Sequence, residues 1–161
     1  MAVDKNKAMI AYLLNCDVIN DHPLFFNFIN VKNDNNQILT QSSDTALHIP
    51  YVDGSVSKAY TITILLFKSI SQNAVVKIEG YDDENVDDFA AVQQLSDWIN
   101  EQNQSHIYPD FGDKCIVDSI ELLSDIPVLD GIDDSVNPPL AQYSIQIRVQ
   151  YLDTTNVIWN A

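Results

Sequence analysis

The chain has 161 residues, of which 46% are hydrophobic, and this length supports one hydrophobic core in a single domain spanning residues 1–161. The formal charge is −15, from 23 acidic and 8 basic residues, and the basic residues do not cluster along the sequence. Because non-specific binding to nucleic acid depends on Lys and Arg neutralising phosphates, this composition argues against a DNA-binding surface and against docking on an anionic membrane.

The two cysteines and the first residues indicate the cellular compartment. Cys16 and Cys115 lie in apolar stretches, and two cysteines do not make a disulfide framework. The opening residues, MAVDKNKAMIAYLL, lack the long apolar run and the small-residue cleavage site of a signal peptide, and no stretch approaches the length of a membrane span. We therefore expect a protein that is made and kept in a reducing cytoplasm.

The first third of the chain predicts one helix followed by a hairpin. Residues 4–16 are typical of a short amphipathic helix with Asp4 as its N-cap and an apolar stripe that contains Ile10, Leu13 and Leu14. Two β-rich runs within LFFNFINVKNDNNQILTQ flank residues 33–36, which are Asn and Asp residues that tolerate tight turns. We therefore predict a β-hairpin, followed by a loop over residues 42–57, where Pro50 and Gly54 interrupt regular structure.

The middle of the chain predicts a central strand and the main helix. The stretch KAYTITILLFKSIS has β-branched and aromatic residues on both of its faces, which favours a strand that is covered on both sides. The stretch YDDENVDDFAAVQQLSDWINEQNQ then has apolar residues at helical spacing, namely Phe89, Val92, Leu95, Trp98 and Ile99.

Two further strands complete the predicted fold. KCIVDSIELL predicts the first, and PPLAQYSIQIRVQYLD predicts the second by its strict alternation from Ala141 onward. Its wet face consists of Ser144, Gln146, Arg148 and Gln150, and its dry face, which we expect to lie against the helices, consists of Tyr143, Ile145, Ile147, Val149 and Tyr151. The predicted order is α-β-β-β-α-β-β, an α+β domain whose mixed or antiparallel sheet is covered by helices on one face.

The sequence contains no motif that is typical of an enzyme. His22, His48 and His106 stand far apart, and none lies in a His-x-x-x-His or Cys-x-x-Cys context, so their spacing does not predict a zinc site. The four glycines are isolated, which argues against a phosphate-binding loop, and neither a serine nucleophile elbow nor a Cys–His pairing is indicated. We therefore predict no enzymatic activity, no cofactor, and no catalytic, cofactor-binding or metal-binding residues.

Two acidic stretches leave a different class of function open. DDENVDD contains Asp82, Asp83, Glu84, Asp87 and Asp88, but it lies where the main helix begins, and acidic residues there offset the helix dipole. LDGIDDSVN departs from the spacing of a calcium-binding loop, and no Glu closes it. An acidic module that binds a small ligand or a metal remains an alternative, for which a metal-dependent thermal shift is the test.

The connection between the last two strands and the end of the chain predict an interaction surface. Sixteen residues, SDIPVLDGIDDSVNPP, are expected to join strands that hairpins usually join with two to five, and they are too apolar for a solvated loop. Trp159, in the closing NVIWN, either anchors an interface or packs back on its own sheet. Arg148 is the only arginine and is suited to a carboxylate on a neighbouring subunit. The candidate interface residues are Ile126, Val128, Leu129, Ile132, Arg148 and Trp159.

Four of these stretches carry a resemblance to a known family. YPDFGDK, IELLSDIPVLDGID, NPPLAQYSIQIRVQYLD and NVIWN resemble the carboxyl-terminal half of tail proteins from long-tailed bacteriophages and prophages of Gram-positive bacteria. The resemblance covers residues 85–161, and over residues 1–84 only the element order is similar to that of tail terminator, or tail-completion, proteins. The resemblance implies a small α+β virion protein that caps the tail tube as a hexameric ring.

The resemblance also implies a set of partners and a location. The partners would be further copies of the chain, the tail tube protein, and a neck or head-completion protein of the stopper or adaptor kind. The protein would belong to the tail or neck of the virion and to the host cytoplasm during assembly. Six copies would carry about 90 negative charges, so a lumen of that sign would let DNA pass without specific binding. A tube subunit or a head–tail adaptor remains an alternative, since these also combine small α+β folds with ring symmetry.

Overall fold

The computed structural model describes residues 4–20, 24–26, 36–40, 48–69, 84–123, 128–133 and 140–158. The three helices are α1 (Lys5–Leu13), α2 (Asp17–Asn20) and α3 (Glu84–Gln104). The seven strands in the described residues are β1 (Leu24–Phe26), β2 (Asn36–Thr40), β3 (His48–Pro50), β4 (Val56–Ser69), β5 (Cys115–Leu122), β6 (Val128–Asp133) and β7 (Leu140–Asp153).

All of the described strands belong to one sheet, with the order β1-β2-β4-β7-β5. The strand β3 lies beside the beginning of β4, and β6 lies beside the beginning of β7. Every pair is antiparallel except β1 with β2, so the sheet is mixed. Together with the helices, this confirms the predicted α+β class. The predicted order of seven elements is not what the described residues show, because they also contain α2, β3 and β6.

The two long strands form the centre of the sheet. β4 and β7 pair along their full length, from Val56 opposite Asp153 to Ser69 opposite Leu140. β4 is buried on both of its faces, with Ile62 and Ile64 toward the core and Leu65 and Phe67 on the other side, as its two-sided apolar pattern predicts.

The core lies between the sheet and the helices. The predicted dry face of β7 is buried along its whole length and packs with Leu95 and Ile99 of α3, which confirms that part of the prediction. The remaining buried members of this core come from the other two helices and the turn between them, from β4, β5 and the beginning of β7, and from the loop before β5: Met9, Tyr12, Leu13, Cys16, Ile19, Tyr60, Ile62, Ile64, Leu66, Phe111, Ile120 and Ala141.

The first helix begins where its sequence predicts but buries a different stripe. The Asp4 carboxylate accepts hydrogen bonds from the backbone N–H groups of Asn6 at 3.0 Å and Lys7 at 3.3 Å, which confirms the predicted N-cap. The buried residues of α1 are Met9, Tyr12 and Leu13, whereas Leu14 is exposed, because the helix ends at Leu13 and the chain then turns toward α2.

The predicted β-hairpin is wrong. The strands β1 and β2 are parallel, with Leu24 opposite Asn36 and Phe26 opposite Ile38. Two parallel neighbours cannot be joined by a tight turn, since the chain must cross back before the second strand begins. Residues 27–35, which include most of the predicted turn, lie outside the described residues. The predicted loop over residues 42–57 is also wrong in part, because it contains β3 and the first two residues of β4.

The apolar connection before β7 is not a loop throughout. Residues 128–133 form β6, which pairs with the beginning of β7. A bulge falls between Leu129 and Gly131, where the register shifts by one residue. This bulge breaks the period-two alternation by which strands are recognised in a sequence, and it explains why the pattern predicts a loop there.

Candidate functional site

The strand β6 is an edge strand. It pairs with β7 from Val128 opposite Ser144 to Asp133 opposite Leu140, and β4 occupies the other side of β7 over the same stretch. β5 lies on the same side of β7 and ends at Leu122 opposite Ile147, so β5 and β6 follow one another along one edge of the sheet. Within the described part of the chain, no strand pairs with the outer side of β6.

The bulge in β6 places two large aliphatic side chains on the same face. Residues three apart on a regular strand point to opposite faces, but the extra residue brings Leu129 opposite Tyr143 and Ile132 opposite Ala141, which share the helix-facing side of β7. Tyr143 and Ala141 are buried, whereas Leu129 is 50% exposed and Ile132 is 55% exposed. These two candidate interface residues are therefore adjacent and accessible.

The carboxylate of Asp130 lies on the opposite side of the same strand. Asp130 occupies the bulge, and its carboxylate accepts hydrogen bonds from Nε2 of Gln142 at 3.3 Å and from the hydroxyl of Ser144 at 3.1 Å. Both donors are neutral, so the negative charge of Asp130 is not compensated by them. We call Leu129, Asp130 and Ile132 together the β6 patch.

Arg148 pairs with a carboxylate of its own chain. Its guanidinium lies 3.6 Å from Oε1 of Glu121 on β5, and Nε2 of Gln150 donates to the same oxygen at 3.1 Å. Acidic side chains of the neighbouring strands, Glu121 of β5 and Asp130 of β6, therefore contact the wet face of β7. A contact of Arg148 with a neighbouring subunit stays a prediction.

The other candidate interface residues are not described at the level of side chains. Val128 begins β6, and its side chain lies outside the description. Ile126 and Trp159 lie outside the described residues, so the contacts predicted for them stay predictions.

A second apolar surface, not predicted from the sequence, lies at the opposite end of the sheet. Strand register places Ile49 of β3, Ser57 of β4, Leu152 of β7 and Ile116 of β5 side by side in one row across four strands. The row is on the face opposite the helices, and Ile116 in it is 54% exposed. The turn and tail that border the row add three more exposed apolar side chains. The resulting strand-end patch comprises Ile49, Tyr51, Val52, Ile116, Leu152 and Ile158.

A bulge also explains why the sequence does not reveal this second surface. In an unbroken strand Ile116 and Ile120 would face the same way, so the sequence KCIVDSIELL does not distinguish them. The register of β5 shifts between Val117 and Ser119, so Ile120 is buried in the core while Ile116 points to the opposite face.

The residues after β7 are tied to the same end of the sheet. Thr154 donates to the carbonyl of Lys114 through its backbone N–H at 2.7 Å and its hydroxyl at 2.9 Å, and the N–H of Ile158 donates to the carbonyl of Asp53 at 2.9 Å. Gly54 lies against this tail with φ +92°, and a Cβ there would lie 2.2 Å from the carbonyl oxygen of Asn156. The tail therefore packs back on its own sheet as far as Ile158.

This end of the sheet also holds several of the basic residues. Nζ of Lys58 lies 2.8 Å from Oδ2 of Asp153, and Lys5 lies 5.3 Å from the centre of the Tyr151 ring. Hydrogen bonds from Lys58 and then from Thr155 hold the pKa of the Asp153 carboxyl well below its usual range.

No metal centre is assembled in the described residues. They contain no group of three or more His, Cys, Asp or Glu side chains that could hold a metal ion. His106 contacts the Tyr108 hydroxyl at 3.0 Å, and Cys16 and Cys115 are free thiols whose pKa values are raised chiefly by burial. Asp82 and Asp83 of the acidic stretch lie outside the described residues, and α3 begins at the next residue. No helix in the described ranges is long and apolar enough to cross a membrane.

Comparisons with known proteins give no assignment. No protein-family model matches the chain, and no curated protein matches it significantly. The resemblance to tail terminators therefore stays a prediction, which the geometry of the two exposed patches allows us to develop.

Proposed function

We propose that the chain is a structural protein of the virion of a long-tailed bacteriophage or prophage, acting as the tail terminator. It caps the tail tube as a hexameric ring and connects the tube to a neck or head-completion protein. It resides in the tail or neck of the virion, and in the host cytoplasm during assembly. Its role is mechanical and it catalyses no reaction.

The observation that carries this proposal is the exposed aliphatic pair on β6. An edge strand presents backbone groups with which a strand of another chain can pair. Here Leu129 and Ile132 project side by side from the edge, and half of each side chain is exposed. They lie in IELLSDIPVLDGID, one of the stretches that carry the resemblance to terminators. A surface of this kind suits a protein whose task is to contact other proteins.

The charge of the chain supports the same role. A terminator ring must let DNA pass through its lumen without holding it. At −15 per copy, the surface has little capacity to neutralise phosphates, and its sign repels them. The one arginine, which would be the strongest phosphate ligand, is already paired with Glu121.

Electron microscopy of tails tests the proposal. In the phage or prophage that encodes the chain, deletion of its gene should give tubes that exceed the normal length and do not join heads, because no cap stops growth. Restoring the parent gene in trans should restore both the length and the joining. Tails of normal length joined to heads in the deletion strain would contradict the proposal.

Labelling separates the terminator from the related structural parts. An epitope tag detected with gold particles should appear at one position per tail, at the end of the tube nearest the head. Label spaced along the whole tube would instead identify a tube subunit, and label that stays with isolated heads would identify an adaptor.

A further inference from the structure

We infer that neighbouring copies of this chain contact each other head to tail, with the β6 patch of one copy seated on the strand-end patch of the next. The inference rests on the proposed function, because it assigns the two surfaces that would build the ring. The sequence does not predict that these two patches contact each other.

The positions of the two patches exclude a contact between them within one chain. The β6 patch lies beside Ala141 and Tyr143 at the beginning of β7, whereas the strand-end patch contains Leu152 near its end. At about 3.3 Å per residue, Tyr143 and Leu152 are about 30 Å apart along a straight strand. The aliphatic side chains of the two patches also project from opposite faces of the sheet.

Two different patches on one chain define the type of symmetry. A contact between unlike surfaces leaves one surface of each kind free in a dimer, so that further copies add in the same way. Such a series closes into a ring when the rotation between copies allows it. A contact between two like surfaces would instead stop at a dimer.

Charge favours the unlike pairing over the like one. Residues 124–139, which contain β6, include four aspartates and no basic residue, so a β6 patch placed against its own copy would oppose acid with acid. The row of the strand-end patch, by contrast, contains no charged side chain, since it consists of Ile49, Ser57, Leu152 and Ile116. This uncharged row is therefore a less repulsive contact for the acidic β6 patch than a second β6 patch would be.

A mixing experiment tests the inference directly. One variant carries Leu129→Asp and Ile132→Asp, which puts charge into the β6 patch, and the other carries Ile49→Asp and Ile116→Asp in the strand-end patch. Buried interface charge is costly, so each variant alone should remain monomeric at concentrations where the parent associates. Mixed in equal amounts, they should form a 1:1 dimer of about 36 kDa, twice the 18.1 kDa chain, because each still offers the patch that the other needs.

The measurement is size-exclusion chromatography with light scattering, supported by native mass spectrometry of isotope-labelled variants. Circular dichroism checks that both variants fold. If a double variant does not fold, the single substitution Leu129→Asp or Ile116→Asp takes its place. Ile107→Asp is the matched control, because Ile107 is 53% exposed but lies outside both patches. The control should associate like the parent.

Three results would overturn the inference. One is a homodimer of either variant, since this would indicate a contact between like patches. Another is a mixture that stays monomeric while the parent associates. The third is a parent protein that remains monomeric at concentrations up to about 1 mM, because even a weak contact of this kind should have a dissociation constant below about 1 mM. None of these results decides whether the protein sits at the end of the tail, which the gold label tests independently.

Discussion

The pair of substitutions Ile147→Ala and Leu129→Ala separates the core of the sheet from its proposed contact surface. Ile147 is fully buried between β4 and β5, where it lies opposite Ile62 and Leu122. Removing three side-chain carbons forfeits about 2.4 kcal/mol of transfer free energy at about 0.8 kcal/mol per buried carbon. The cavity left behind brings the expected loss of unfolding free energy to about 2–5 kcal/mol.

The same truncation at Leu129 should cost much less in the monomer. Leu129 is 50% exposed and leaves no enclosed cavity, so the loss is about 1 kcal/mol. Urea unfolding of each variant, followed by circular dichroism under conditions where the protein is monomeric, measures both values through the transition midpoint. Equal losses would refute the reasoning, because they would place Leu129 in the core rather than on a free surface.

Three further predictions concern the packing of the residues after β7, stability at low pH, and metal binding. Gly54→Ala should lower the unfolding free energy by about 1–3 kcal/mol, because Gly54 has a positive φ and the added carbon would clash with Asn156. Gly131→Ala should change the unfolding free energy little, because nothing lies within 4 Å of the added carbon, and similar losses for the two variants would contradict this account. Asp153→Asn should lower the unfolding free energy by about 1 kcal/mol at pH 7, and its difference from the parent in melting temperature should shrink below about pH 4. The reason is that a carboxyl with a lowered pKa stabilises the fold above its unfolded pKa and loses this effect as it becomes protonated. A difference that does not change with pH would exclude the ion pair with Lys58 as its cause. The purified protein should contain no stoichiometric zinc and should melt at the same temperature with millimolar calcium or with EDTA, and a shift of several degrees would revive the acidic-module alternative.

Local patterns in the sequence predict the regular parts of this fold. The strict alternation after Ala141 gives β7 and its buried face, the two-sided apolar pattern gives β4, and Asp4 marks the start of α1. In each case the residues that determine the element lie within a few positions of each other, so a period of two or the spacing of a cap is visible directly.

The parts that sequence patterns miss depend on partners distant in the chain. The parallel pairing of β1 with β2 is a choice of neighbour that a run of β-forming residues does not specify. The bulges in β5 and β6 shift one register step each, and a shift of one residue moves every later side chain to the other face. The exposure of Ile116 follows from such a bulge, and no local signal in KCIVDSIELL distinguishes it from Ile120.

The candidate interface was predictable only in part for the same reason. The apolar content of the stretch before β7 predicts that Leu129 and Ile132 take part in an interaction, and the structure shows both exposed on an edge strand. Their common face results from the bulge, which composition does not reveal. For Arg148 the sequence predicts a carboxylate of a neighbouring subunit. The carboxylate beside it in the structure is Glu121 of its own chain, which the pairing of β5 with β7 places there.

The most direct test of the central claim is the native mass of the oligomer that this protein forms. Native mass spectrometry of the concentrated protein, and of the complex released from the head-proximal end of purified tails, reads the number of copies without reference to any interface. The account predicts one closed species of about 109 kDa, which corresponds to six chains of 18.1 kDa, with no larger members of the series. An open-ended ladder of masses would indicate a tube subunit instead, and a monomer in both preparations would contradict the ring.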